Sequence, residues 1–157
     1  MTGGEGGEGG ATPMEPAQEI FDVVRAGDTG RLQQLLDGDP RLATVRNERG
    51  HTPVLIAQYH HQHEAVAVLL RAEPELDIFD AASVGRAPRV AEWLDRDPAL
   101  LEARSSDGFS PLGLAAFFGH ADTVKLLLAR GADAREAIGL AATKGNIEIL
   151  KLLKGQA

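Results

Sequence analysis

The sequence predicts an all-α fold, a solenoid of five stacked helix-turn-helix repeats, and three observations predict it. The chain is internally duplicated, a turn residue recurs along it, and apolar residues between the turns follow a helical period. A shift of 58 residues lays 20–70 over 78–128 with about a third of positions identical. The matches include Ile20-Phe21-Asp22 with Ile78-Phe79-Asp80, Asp39-Pro40 with Asp97-Pro98, Gly50 with Gly108, Pro53 with Pro111, and Leu69-Leu70 with Leu127-Leu128.

Residues 1–15 come first and read as a flexible, acidic Gly/Glu-rich tail. They hold too little apolar surface to offset the entropy of ordering. The tail's GGEGGEGG stretch has the glycine spacing of a dinucleotide loop, but no strand precedes it and no helix follows from it. Residues 16–157 form the repeat domain, with repeats at about 16–42, 43–72, 73–100, 101–131 and 132–157.

In the first and third repeats, Phe21 and Phe79 open the first helix, and Asp37/Asp39 and Asp95/Asp97 close the second just before a proline. Their recurrence at one place in both halves reads as chain-stop chemistry rather than a catalytic carboxylate pair. In the second and fourth repeats, Thr52 and Ser110 cap a helix whose first turn accepts Pro53 and Pro111. Ala115 and Ala116 are small enough for close helix approach, and Val124, Leu127 and Leu128 make an apolar stripe. Trp93 stands where Leu35, Leu69 and Leu127 stand elsewhere, so it is assigned to the core. In the fifth repeat, Ile149, Leu150, Leu152 and Leu153 belong to a final helix with no polar capping repeat after it.

The turn position runs Gly27, His61, Gly85, Gly119, Gly145, with gaps of 34, 24, 34 and 26 residues. The links between repeats are therefore expected to alternate long, short, long, short. Hairpin fingers are expected only at 43–50 and 101–108. A non-glycine residue at His61 implies a strained left-handed turn, at about 1 kcal/mol.

Gly108-Phe109-Ser110-Pro111-Leu112-Gly113-Leu114-Ala115-Ala116, continuing through Gly119-His120 to Leu126-Leu127-Leu128 and Gly131-Ala132-Asp133, resembles the ankyrin repeat nearly residue for residue. The resemblance covers about residues 15–153. It departs where Leu55 and Gly113 replace the family's histidine, whose hydrogen bonds must then be absent or supplied otherwise. The resemblance implies a non-catalytic protein-binding module with a concave face made of fingers and first helices. The variable contact positions it implies are Glu48, Arg49, His51, Tyr59 and His60 in the second repeat. In the fourth they are Ser106, Asp107, Phe109, Phe117 and Phe118. Aromatic anchors within a charged rim suit such a surface. Phe117 and Phe118 have inward packing as their alternative.

A net charge of -7 without a basic stripe argues against nucleic acid, and the absence of a long apolar run argues against a membrane. There is no cysteine, and the N-terminus lacks the pattern of a secretory signal, so a soluble cytoplasmic protein is expected. His51, His60, His61 and His63 are the only cluster with metal-ligand chemistry, but they straddle a helix end and are read as surface or interface residues. No nucleotide loop, nucleophile elbow or zinc-protease motif is present, so no catalytic residue, metal or cofactor is assigned. The partner is expected to be another protein, bound by a monomer or weak homo-oligomer. A self-associating solenoid stacking through the uncapped last repeat is the alternative.

Overall fold

A computed structural model describes residues 14–155 of the chain; most of the expected tail, residues 1–13, lies outside the described residues. Ten α-helices follow one another: α1 Pro16–Ala26, α2 Thr29–Gly38, α3 Pro53–Tyr59, α4 His63–Arg71, α5 Ile78–Val84, α6 Ala87–Arg96, α7 Pro111–Phe117, α8 Ala121–Ala129, α9 Arg135–Lys144 and α10 Ile147–Gly155. Each consecutive pair is one repeat. The odd-numbered helices stack in one layer, and the even-numbered ones form the second layer behind them. No described residue lies in a β-strand.

Local chemistry starts and stops these helices. Thr52 Oγ1 accepts the Leu55 N–H at 3.2 Å and Ser110 Oγ the Gly113 N–H at 3.0 Å, with Pro53 and Pro111 next in line. Every first helix ends on a left-handed residue: Gly27, His61, Gly85, Gly119 and Gly145 all have positive φ, His61 at 55°. Each turn is closed by a pair of backbone bonds, as in Gly119 N–H to Ala116 O and His120 N–H to Ala115 O. In two turns a side chain from the next repeat crosses behind the glycine. Gln62 Nε2 donates to Arg25 O at 2.8 Å, and His120 Nε2, 58 residues later, donates to Ser83 O at 2.7 Å.

Ile20, Leu32, Leu69, Leu112, Leu114, Leu127, Ile149 and Leu153 are fully buried, and Ala57, Ala81, Ala82, Ala115 and Ala116 let the first helices meet closely. Ile149 and Leu153 thus face inward, whereas Ile147 on the same helix is 66% exposed. Phe21 is buried and Phe79 half-buried. Trp93 departs from its core assignment. Its ring is only half-buried, bracketed by Arg89 and Arg96 at 4.9 and 5.5 Å, with Nε1 donating to Leu76 O at 2.9 Å. An indole is larger than the leucine slot, and its polar edge needs an acceptor.

Helix-to-helix links span residues 39–52, 72–77, 97–110 and 130–134. In each long link, Asp39 or Asp97 caps a 3-10 turn, Pro40–Thr44 or Pro98–Glu102, so these aspartates do act on backbone N–H groups. The finger that follows is a tight turn rather than a ladder. Gly50 N–H bonds Asn47 O and Asn47 N–H bonds His51 O; Gly108 to Ser105 and Ser105 to Phe109 repeat the pattern. Because the 3-10 turns take up residues 43–44 and 101–102, the fingers start later than the spacing suggests.

Candidate functional site

The short link before α5 leaves the third repeat without a finger, and the fingers on either side meet across the gap. A Cβ placed on Gly50 would lie 3.5 Å from Ser106 Cβ. Asp107 at the tip of the later finger receives His51 Nε2 and Tyr59 Oη, each at 2.8 Å. Burial works against the Asp107 charge, but the hydrogen bonds from His51 and Tyr59 prevail and hold its carboxyl below the usual range. Burial, then the Asp107 contact, pushes the Tyr59 phenol well above its ordinary pKa. The bond to Asp107 places the imidazole proton on His51 Nε2.

From this knot a line of rings runs across the second and fourth repeats. His51 meets Tyr59 edge-on at 5.9 Å between centroids, Tyr59 lies 5.9 Å from Phe118, and Phe118 meets Phe117 edge-on at 5.0 Å. Phe117 is stacked with Phe109 at 6.5 Å, and Lys144 Nζ sits 4.7 Å from the Phe117 centroid. Tyr59, Phe109, Phe117 and Phe118 are all half-buried; Tyr59, Phe109 and Phe118 pack against the core, Phe117 against its ring neighbours, and each stays partly open to solvent. Lys144 is absent from the sequence-derived contact set. It occupies, in the fifth repeat, the place of His60 and Phe118 just before the turn glycine, and counting that position onward would have found it.

Not all ten candidate contact residues are available to a partner. His51 is 6% exposed and already bonded, so its assignment to the contact surface is corrected: it joins two fingers. Asp107 is engaged in the same joint but stays exposed. Glu48, Arg49, His60 and Ser106 are exposed. Glu48, Arg49 and His60 line a groove of about 800 Å³ between α1 and the first finger, together with Phe21, Arg25 and Tyr59. The histidines divide between surfaces: His61 and His63 lie 6.3 Å apart between ring centroids beyond the end of α3, while His60 faces this groove. Among the described residues no three ligand-type side chains converge.

Arginines and acids not singled out from the sequence brace the fingers where Leu55 and Gly113 supply no imidazole. Arg46 donates to Gly50 O at 2.9 Å and to Asp77 at 2.6 Å; Arg104, 58 residues on, donates to Gly108 O at 3.0 Å and to Glu136 at 2.6 Å. Thr52 Oγ1 donates to Asp80, and Ser110 Oγ to Glu136. A Cβ at Gly113 would stand 2.8 Å from Glu136 Oε1, so a larger residue there would displace the acid that does this work.

A family model described as ankyrin repeats (3 copies) matches residues 20–136 and 78–157. No curated protein matches the chain. No helix among the described residues is long and apolar enough to cross a membrane.

Proposed function

Because the chain belongs to the ankyrin-repeat family, whose members are generally protein-protein interaction modules, we propose that it binds a partner protein on its concave face and catalyses no reaction. The observation that carries the reading is the half-exposed line of Tyr59, Phe118, Phe117 and Phe109 across the second and fourth repeats. Rings held by one another present area at little entropic cost, and Lys144, Arg49 and Glu48 form a polar rim. A soluble cytoplasmic setting goes with this reading.

Phe109→Ala and Phe117→Ala should weaken the capture of specific partners, isolated from the source cell and identified by mass spectrometry, by about tenfold or more. Their melting temperatures should stay near that of the parent, since neither ring is fully buried. Unchanged capture by both variants would remove the aromatic face as the binding surface.

Self-association is the second reading. It is favoured by Ile147, 66% exposed on α10, with Leu150 and Leu152 half-buried on the same helix. Light scattering of the parent protein separates a stacked solenoid from a monomer.

A further inference from the structure

The internal duplication supplies one groove twice, once occupied and once open. Moved forward by 58 residues, the groove between α1 and the first finger maps onto the place where that finger is itself seated. Phe21 corresponds to Phe79, Glu48 to Ser106, Arg49 to Asp107 and His60 to Phe118. In the later copy the occupant is the chain itself. Gly50 lies against Ser106, His51 and Tyr59 donate to Asp107, and the Tyr59 ring lies 5.9 Å from Phe118.

In the earlier copy no described residue takes that place, and about 800 Å³ stays open between Phe21, Arg49 and His60. The charge at the central contact is reversed there, since Arg49 stands where Asp107 stands. The neighbouring cations are committed, Arg25 to Asp22 at 3.1 Å and Arg46 to Asp77 at 2.6 Å. Among the described residues no carboxylate is in ion-pair contact with Arg49; Asp107 feels its charge only at longer range. An occupant that matches the seated finger in shape must therefore bring an acceptor where His51 and Tyr59 bring donors. Glu48, in the place of Ser106, disfavours a second acid beside the first. The match is one carboxylate and one ring rather than an acidic run.

We propose that this N-terminal groove docks an exposed loop of a partner protein that presents a carboxylate to Arg49 and an aromatic ring to His60. The proposal rests on the reading of the chain as a protein-binding module and adds the chemistry of the partner.

The test selects disulfide-closed loops from a phage-displayed library on the full chain and measures the binding of the selected loops as synthetic peptides. Enriched loops should pair Asp or Glu with Tyr, Phe or Trp. Their affinity should fall about tenfold or more in Arg49→Glu, and less in Arg49→Gln, while both variants melt like the parent. Loops whose acid is replaced by Lys should regain affinity for Arg49→Glu. Selected loops without acidic enrichment, binding that survives Arg49→Glu, or no selected loop at all would overturn the proposal. Loops lost in Phe117→Ala but kept in Arg49→Glu also overturn it, and in that case the aromatic face stands as the protein-binding surface.

Discussion

Asp80 sits in the first turn of α5, 3% exposed, with Thr52 Oγ1 donating to it at 2.9 Å. Burial, reinforced by the neighbouring Asp77 carboxylate, pushes its pKa up to about 7, although Thr52 and Arg46 pull the other way. The folded chain therefore holds this proton to a higher pH than the unfolded chain does. Its contribution is fully present below about pH 4 and is lost as pH rises through about 7. Asp80→Asn keeps an acceptor for Thr52 and removes the titration. It should melt several degrees above the parent at pH 8 and lose that advantage at pH 5, measured by thermal unfolding at both values. An advantage independent of pH would mean that the carboxylate is not the cause. Asp80 also marks a limit of the sequence. Its identity with Asp22 across the duplication is plain, yet Asp22 is exposed and pairs with Arg25, because only Asp80 lies beneath a preceding finger and Thr52.

The turns ending the first helices could be read directly, since a left-handed residue recurring at the same place in each repeat leaves glycine as the unstrained choice. What passes behind each turn could not. Gly145→Ala meets no atom within 4 Å and should cost only the strain of its φ of 68°, about 1 kcal/mol. Gly85→Ala carries the same strain, and its Cβ would stand 2.6 Å from His120 Nδ1. Moving that ring breaks its bond to Ser83 O, so the loss should be larger by about 1–3 kcal/mol. Urea unfolding of the two variants makes the comparison; equal losses would show that His120 yields freely. The long and short links were legible for a related reason, because a missing stretch of chain shows in the numbering. Trp93 was not, because residue type alone does not say whether a slot is wide enough for an indole or whether its edge finds the Leu76 carbonyl.

A solenoid ordinarily couples each repeat only to its neighbours. Here the second repeat also touches the fourth, through Asp107 and the contact of Gly50 with Ser106. No sequence pattern announces a bond between His51 and Asp107, because it depends on how two turns lean over the repeat between them. Asp107→Ala should cost about 1–3 kcal/mol by leaving the buried His51 without its partner. It should also broaden the denaturant transition, as the two halves lose the tie that makes them unfold together. A narrow transition at unchanged midpoint would show that the joint contributes nothing to cooperativity. The same joint gives the chain a parity. Residues 20–70 and 78–128 are copies of a two-repeat unit, and the finger of the first is set against the finger of the second. A single repeat inserted between the two fingers would part them and strip Asp107 of His51 and Tyr59. A whole two-repeat unit placed before residue 20 would add its own finger without disturbing this joint, so finger-to-finger contacts lengthen in steps of two, whatever the count of repeats beyond them.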